Sequence, residues 1–168
     1  HPVTTGNKNS YEQISETIDA IYESKVNCIV ALPNNDAGHA KIIEKIKSCG
    51  LRWYPSLPTD LFVNLYRNVS ALIGNSSSGI HETPSLKIPA INIGTRQQGR
   101  ERAANVIDVS YNKAEIVSAI NKAVYDQEFR SFVKSLANPY GDGDSASKIV
   151  KILRNIHLNG IVQKMFYD

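Results

Sequence analysis

Three consecutive serines between two glycines form the most distinctive chemical feature of this sequence. Ser76, Ser77 and Ser78 follow a short apolar run. Gly74 ends that run, and Gly79 comes directly after the serines. Hydroxyl and backbone N–H groups at such a strand-to-helix junction can donate hydrogen bonds to an anion, and glycines allow tight turning and close approach. The pattern therefore predicts a phosphate or diphosphate site. The alternative is that one serine caps the helix and the others fill space.

Three charged residues lie close to the serines in the sequence. Glu82 comes one helical turn beyond Ser78, where its carboxylate could accept two vicinal ribose hydroxyls or simply favour the first turn of a helix. Arg96 and Arg100 follow the apolar segment 89–94, and we expect them at the same edge of the sheet as the serines. An arginine there can hold phosphate oxygens in a fork, or it can be an ordinary surface residue.

The serine segment does not match the common nucleotide or nucleophile motifs. A Walker loop needs Lys and then Ser or Thr after its second Gly, but Ile80 and His81 follow Gly79. The GxSxG elbow of hydrolases is missed by one residue, and GxGxxG is absent. The four histidines are scattered without ligand spacing, so we expect no metal site.

Strands and helices alternate along the chain and must position these residues. Short apolar runs predict strands within 27–33, 51–55, 71–74, 89–94 and 105–109. Amphipathic stripes predict helices over 10–24, 36–48 with Asp36 as N-cap, 59–69, from the serines to about 86, 112–125, 127–137 and 145–157. This order predicts an α/β domain with a parallel sheet covered on both faces. Ligands of such sheets bind beyond the carboxyl ends of the strands.

Length and composition limit the classes of protein. The 168 residues, 42% hydrophobic and 21% charged, suit one globular domain with its own core. A dispersed net charge of +3 does not indicate nucleic acid, and no apolar stretch predicts a membrane span or signal peptide. Cys28 and Cys49 lack metal-ligand spacing and indicate reduced thiols of a cytoplasmic protein. The opening HPVTTGNKNS has the character of a loop after an absent strand, so we expect a piece of a longer protein.

Five segments, taken in order, resemble the C-terminal half of the UDP-N-acetylglucosamine 2-epimerases, in particular the hydrolysing branch that feeds sialic acid and related sugar pathways. They are HPVTT at the start, ALPNNDAG at 31–38, IGNSSSGIHE at 73–82, IPAINIGTRQQGRE at 88–101 and YGDGDSASKIVKIL at 140–153. The resemblance implies a GT-B-like fold of two Rossmann-like domains with the nucleotide sugar between them. This chain, residues 1–168, would be the second, three-layer α/β/α domain, which binds UDP.

The resemblance also implies roles for individual residues. Ser76 and Ser77 would contact the diphosphate, and Glu82 would contact the ribose. Arg96 would lie in the UDP site, and Asn34 would line it. Gly74, Ser78, Gly79 and Arg100 are further candidates for the phosphate loop.

The family reaction removes UDP by elimination across C1 and C2 of the sugar, and water then adds to the glycal to give free N-acetylmannosamine. His1 matches a family histidine near the phosphates and the reaction centre, so it is the candidate catalytic residue. It would stabilise the leaving group together with the serines and Arg96. The acid–base carboxylates would come from the missing N-terminal domain, so we expect this chain to bind UDP or a UDP-sugar without turnover. The reaction needs no redox cofactor.

Other functions stay open. The substrate could be UDP-2,4-diacetamido-trideoxyhexose or a GDP-linked analogue. A GT-B glycosyltransferase shares the fold and the diphosphate site but transfers the sugar to an acceptor. A non-catalytic module that senses a nucleotide sugar would bind without turnover even with every domain present.

The C-terminal region predicts contacts with other surfaces. Ile149, Ile152, Leu153 and Ile156 form one helical stripe. In GT-B proteins the last helix crosses back to the first domain, so we expect the helix near 145–157 to do so here. Apolar residues of the tail (Ile161, Met165 and Phe166) would then favour self-association, and we expect a homo-oligomer.

Overall fold

The computed structural model describes residues 1–3 and 9–157, where short parallel strands alternate with helices. The strands are β1 (Ile29–Ala31), β2 (Arg52–Tyr54), β3 (Leu72–Gly74), β4 (Ala90–Ile93) and β5 (Val106–Val109). The helices are α1 (Ser10–Glu23), α2 (His39–Ser48), α3 (Thr59–Asn68), α4 (Ser78–His81), α5 (Thr83–Leu86), α6 (Lys113–Tyr125), α7 (Gln127–Ser135) and α8 (Ser145–Asn155). The predicted α/β class is confirmed.

Every strand pairing in the described residues is parallel, as predicted, and the strands form two groups. β1 pairs with β2, with Val30 opposite Trp53. The second group has the order β3-β4-β5, with Ile91 of β4 between Ile73 and Ile107. Within each group the strands therefore run in the same direction. The loops that follow β3 and β4 consequently meet at the carboxyl edge of the larger group.

The main core lies around β4, whose four residues are all buried. Ile91 and Ile93 pack with one face of α1 and one face of α6. α6 contributes Ile116 and Ile120, which are fully buried. Three of the four residues of AINI are apolar, which fits a central strand covered on both faces, and AINI forms the middle of the larger sheet.

Two helical segments differ from the sequence prediction. α2 begins at His39, after Gly38 at φ +94°. Asp36, the predicted N-cap, lies outside the helix: its backbone carbonyl accepts the His39 N–H, but its side chain makes no capping bond. The segment after the serines divides into α4 and α5. Pro84 lacks an N–H and its ring crowds the carbonyl four residues earlier, so the α4 ladder cannot continue through it.

The apolar stripe of α8 is exposed, and no residue of this helix is buried. Ile152 and Leu153 keep 63% and 66% of their surface exposed. Ile161, Met165 and Phe166 lie outside the described residues. None of the described helices combines the length and the hydrophobicity that crossing a membrane requires.

Candidate functional site

Strand β3 delivers the serine loop to the carboxyl edge of the larger sheet. Gly74 ends the strand at φ +141°, a conformation that residues with a side chain rarely adopt, and the space beside it is open. Gly79 lies inside α4, where an added Cβ would meet the side chains of Leu72 and Ala90 at 3.4 and 3.5 Å. The two glycines therefore let the chain turn sharply and let α4 lie directly on β3 and β4.

The serines leave hydrogen-bond donors available at this turn. The Ser76 hydroxyl accepts the Ser78 N–H at 3.3 Å, and the Ser77 carbonyl accepts the N–H groups of Ile80 and His81 at 2.8 and 2.9 Å. The Ser77 hydroxyl makes no capping bond. Within residues 1–3 and 9–157, the backbone N–H groups of Ser76 and Ser77 donate to no acceptor. Two amides and one hydroxyl can therefore donate to a ligand.

The Ser78 hydroxyl is bonded to the phenol of Tyr66 in α3. Burial raises the pKa of the Tyr66 phenol to about 12, the Ser78 hydroxyl opposes that rise, and the Glu82 carboxylate adds to it. The phenol is therefore a neutral donor at physiological pH. Tyr66 and Ser78 thus lie together on the α3 side of the serine loop, where the Glu82 charge also acts.

Asn75, which follows β3 directly, connects the serine loop to two other segments. Its side chain accepts the His1 amine at 2.7 Å and donates to the His1 carbonyl at 2.8 Å. Its backbone carbonyl accepts Arg96 Nη1 at 3.3 Å and Gln97 Nε2 at 2.8 Å. Asn75 and Gln97 are 7% and 1% exposed. This buried pair fixes the Arg96 loop, which follows β4, against the serine loop, which follows β3.

His1 bridges the loops that follow β1 and β3. Its Nδ1 lies 2.7 Å from Asn34 Oδ1 and 3.3 Å from the Asn34 backbone nitrogen. Burial and then the Arg96 charge lower the pKa of the His1 amine to about 6, and Asp36 opposes them. The predicted group of His1, Asn34 and Arg96 is therefore together in space, around Asn75.

The two candidate arginines have different surroundings. Arg96 Nη2 lies 3.7 Å from the Asp36 carboxylate, and both side chains are partly exposed. Arg100 Nη1 lies 2.9 Å from His81 Nε2, at the other end of α4 from the serines. The His81 ring also packs on Tyr140, with centroids 4.2 Å apart. Arg96 thus shares the Asn75 cluster, whereas Arg100 supports His81.

Three residues of this cluster carry no motif and were missed by sequence reasoning. They are Asn75, Gln97 and Asp36. The available signal was that Asn75 directly follows one apolar run and Gln97 comes three residues after another, beyond the ends of neighbouring parallel strands. Among the described residues, no group of His, Cys, Asp and Glu is arranged to hold a metal ion.

The fold and the site together define a Rossmann-like α/β domain with hydrogen-bond donors and a guanidinium gathered beyond the carboxyl ends of parallel strands, where ligands of such sheets bind. The sequence model of the UDP-N-acetylglucosamine 2-epimerase family matches residues 1–154. The chain therefore belongs to the UDP-N-acetylglucosamine 2-epimerase family.

Individual relatives agree with this assignment. Over 175 residues the chain is 37% identical to the polysialic acid biosynthesis protein P7 of Escherichia coli, covering all of this chain and 44% of that protein. It is 33% identical over 176 residues to the hydrolysing GDP/UDP-N,N'-diacetylbacillosamine 2-epimerase of Campylobacter jejuni, covering all of this chain and 45% of that protein. The chain thus spans less than half the length of these relatives.

A solved structure shows the same fold. The UDP-GlcNAc 2-epimerase of Methanocaldococcus jannaschii, in complex with UDP-GlcNAc and UDP, superposes with a TM-score of 0.67 at 21% identity. The match covers 85% of this chain and 41% of that chain. The predicted Rossmann-like α/β fold, equivalent to one half of a GT-B-like enzyme, is confirmed.

Proposed function

We propose that this chain is the UDP-binding half of a hydrolysing UDP-N-acetylglucosamine 2-epimerase. The complete enzyme would convert UDP-N-acetylglucosamine and water into N-acetylmannosamine and UDP, by elimination of UDP and hydration of the glycal. The observation that carries the proposal is the cluster around Asn75. It brings Arg96, His1 and the free donors of Ser76 and Ser77 to one edge.

The proposal gives each group a role that its position supports. The Ser76 and Ser77 amides and the Ser77 hydroxyl donate to the diphosphate, and the Arg96 guanidinium balances its charge. Glu82 accepts ribose hydroxyls beside the Tyr66 phenol. Gly74, Ser78 and Gly79 shape the phosphate loop, whereas Arg100 acts through His81 rather than on the phosphates.

His1 is the proposed catalytic residue of this half. Asn34 and Asn75 hold it at the carboxyl ends of β1 and β3, beside Arg96. An imidazole there can donate to the leaving diphosphate as the bond from the sugar to oxygen breaks. Asn34 orients that ring and lines the nucleotide site.

A second domain completes the proposed enzyme. The exposed apolar stripe of α8 fits a helix that crosses to an N-terminal domain, which would supply the carboxylates for proton transfer at C2. The isolated 168-residue chain would therefore bind UDP without turnover. We propose that the protein is cytoplasmic, since the free thiols of Cys28 and Cys49 suit a reducing compartment. We also propose that it forms a homo-oligomer and that its reaction needs no cofactor.

A related sugar is the second candidate substrate. Two relatives at 33% and 30% identity are named for N,N'-diacetylbacillosamine linked to UDP or GDP. The reaction would be the same, with a 2,4-diacetamido-trideoxyhexose in place of N-acetylglucosamine. Since Ser76, Ser77 and Arg96 face the diphosphate in this proposal, the same site serves both sugars.

Turnover by the full-length protein tests the proposal. UDP release from UDP-N-acetylglucosamine and from the diacetamido sugar is followed by a coupled assay, and the free sugar is identified by NMR. We expect free N-acetylmannosamine, with the rate strongly reduced in Ser77→Ala and Arg96→Ala and largely retained in Arg100→Ala. Transfer of sugar to an acceptor would indicate a glycosyltransferase, and binding of UDP without any turnover would indicate a sensor; either result refutes the epimerase proposal.

A further inference from the structure

The loop that carries Arg96 is held from two sides. On its inner side, Arg96 Nη1 and Gln97 Nε2 donate to the Asn75 carbonyl at 3.3 and 2.8 Å. On its outer side, Arg102 donates from Nη2 to the Gln97 carbonyl at 2.5 Å and from Nε to the Arg100 carbonyl at 3.3 Å. Gln97 is therefore bonded to the serine loop by its side chain and to Arg102 by its backbone.

The backbone of this loop makes few bonds of its own. One turn is closed by the Gln98 N–H, which donates to the Thr95 carbonyl at 2.9 Å. The next is closed by the Arg100 N–H, which donates to the Gln97 carbonyl at 3.3 Å. Gly99 lies between them at φ +77° in open space. Exposed turns open readily, so the position of the loop depends on the side chains that hold its carbonyls.

The sheet anchors Arg102 through a carboxylate. Asp108 Oδ1 accepts Arg102 Nη1 at 2.5 Å, and Asn92 Nδ2 donates to the same oxygen at 2.7 Å. Asn92 of β4 and Asp108 of β5 are direct partners in the parallel pairing of these strands. The paired strands therefore fix the carboxylate, and the carboxylate fixes the guanidinium. We call Asn92, Asp108 and Arg102 the Arg102 clamp.

Asn92 is an unfavourable residue for its position unless it serves the clamp. It is buried in the otherwise apolar strand β4. Among the described residues its enclosed Oδ1 has no hydrogen-bond partner. A buried acceptor without a partner destabilises a fold, and an apolar side chain would avoid this loss. Such local conflicts are expected where a residue serves function, so donation to Asp108 explains Asn92 better than packing does.

The geometry of the clamp requires an arginine at position 102. Three nitrogens of one planar guanidinium reach a carboxylate and two backbone carbonyls at once. The ammonium of a lysine is a point charge and cannot reproduce this arrangement. Arg102 also lines an open cavity of about 260 Å³ together with Thr95 and Gln98. Its bonds rather than tight packing therefore fix its position, and a lysine there would not disrupt the core.

We propose that Arg102 is a positioning residue of the diphosphate site, held in place by the other two members of the clamp. By fixing the Gln97 carbonyl, it directs the Gln97 amide and the Arg96 guanidinium onto the Asn75 carbonyl. Arg96 is thereby placed before the ligand arrives, which reduces the cost of ordering it on binding. The inference rests on the proposed role of Arg96 at the diphosphate, and Arg102 acts through the loop without contacting the phosphates.

Calorimetric titration of Arg102→Lys with UDP tests this role. We expect the Kd of the 168-residue chain to rise about five-fold, because the loop must be ordered on binding. In an Arg96→Ala background the same change should have no further effect, since no guanidinium remains to be placed. Arg130→Lys is the matched control. Arg130 likewise donates to two backbone carbonyls, those of Ser70 and Ala123, but Ser70 precedes β3 at the opposite edge of the sheet.

Hydrogen exchange of the Gln97 side-chain amide tests the clamp without any ligand. This amide is bonded to Asn75 and the residue is 1% exposed, so NMR should show slow exchange. We expect exchange about tenfold faster in Arg102→Lys, with the Ala90 backbone amide of the sheet unchanged as the internal reference. Unchanged Gln97 exchange would overturn the inference even if UDP binds. Absence of UDP binding by the unaltered chain, with faster Gln97 exchange in the variant, would refute only the proposed function.

Asn92→Val covers the case in which Arg102→Lys disturbs the fold. The change removes the unpartnered buried oxygen, and water can solvate Asp108, whose side chain is 56% exposed. The urea midpoint should therefore stay the same or rise, while the Kd for UDP rises about two- to three-fold and Gln97 exchange quickens. Three results would overturn the inference: a lower midpoint with unchanged binding, additive effects of Arg102→Lys and Arg96→Ala, or equal weakening by Arg130→Lys.

Discussion

The Asp36 carboxylate competes with an anionic ligand for Arg96. Its oxygen lies 3.7 Å from Arg96 Nη2, and the two side chains are 47% and 29% exposed. The change Asp36→Asn keeps the size of the side chain and removes its charge. We expect tighter UDP binding, because Arg96 loses a competing partner and the diphosphate loses a nearby negative charge.

The size of the effect follows from two modest contributions. Releasing a partly exposed ion pair is worth about 0.5 kcal/mol. A carboxylate about 7 Å from a diphosphate of charge about −2 contributes roughly 1 kcal/mol of repulsion in water, and physiological salt reduces this to about half. The sum of about 1 kcal/mol corresponds to a Kd for UDP about five-fold lower.

Calorimetric titration with UDP at two salt concentrations measures this gain. Glu128→Gln is the matched control, since it removes one carboxylate from an exposed position in the first turn of α7. We expect the gain for Asp36→Asn to shrink as salt rises and the control to leave Kd unchanged. Unchanged or weaker binding by Asp36→Asn would refute the view that Arg96 faces the diphosphate.

Two further predictions concern stability. Gly99 lies at φ +77° in open space, so Gly99→Ala should lower the free energy of unfolding by about 1 kcal/mol. Gly94 has the same φ, but an added Cβ would meet the Tyr111 ring, so Gly94→Ala should lower it by about 2–3 kcal/mol. Urea unfolding measures both losses, and equal losses would contradict this packing. Because burial and then Arg96 lower the pKa of the His1 amine from 8.0 to about 6, the unfolded chain binds more protons between these pH values. The free energy of unfolding of the 168-residue chain should therefore rise by on the order of 1–3 kcal/mol from pH 6 to 8, and N-terminal acetylation should abolish the rise.

Much of the fold follows from local sequence pattern. The AINI run has no polar–apolar alternation, which indicates a strand buried on both faces, and β4 is that strand. Asn112 and Asp126 cap α6 and α7 with their side chains, which fixes where these helices begin. The prediction of Asp36 as the N-cap of α2 was wrong, because Gly38, two residues later and in a left-handed conformation, turns the chain into the helix.

Only the part of the site that lies beyond the carboxyl ends of the strands could be predicted from the sequence. Arg96 and the serines were expected together because they follow neighbouring parallel strands. The Asn75 contacts join residues 74 and 22 positions apart, and no local pattern encodes such a separation. The surroundings of Arg100 were also beyond prediction, since the direction of its side chain depends on His81 and its loop rather than on spacing.

The exposure of β1 has a different explanation. NCIVALP predicts a buried strand, and its burial needs a neighbour on each side. Among the described strands only β2 pairs with β1, and Ile29 of β1 is 44% exposed.

Calorimetric titration of UDP into the full-length protein and into the 168-residue chain tests the central claim, with GDP and inorganic phosphate as controls. We predict that UDP binds and that Arg96→Ala weakens binding by about ten-fold or more, as expected for a charge-assisted hydrogen bond, while Arg100→Ala leaves it nearly unchanged. Ser77→Ala should weaken it by a smaller factor. Binding no tighter than that of phosphate, or equal effects of the two arginine variants, would contradict a diphosphate site on the serine loop.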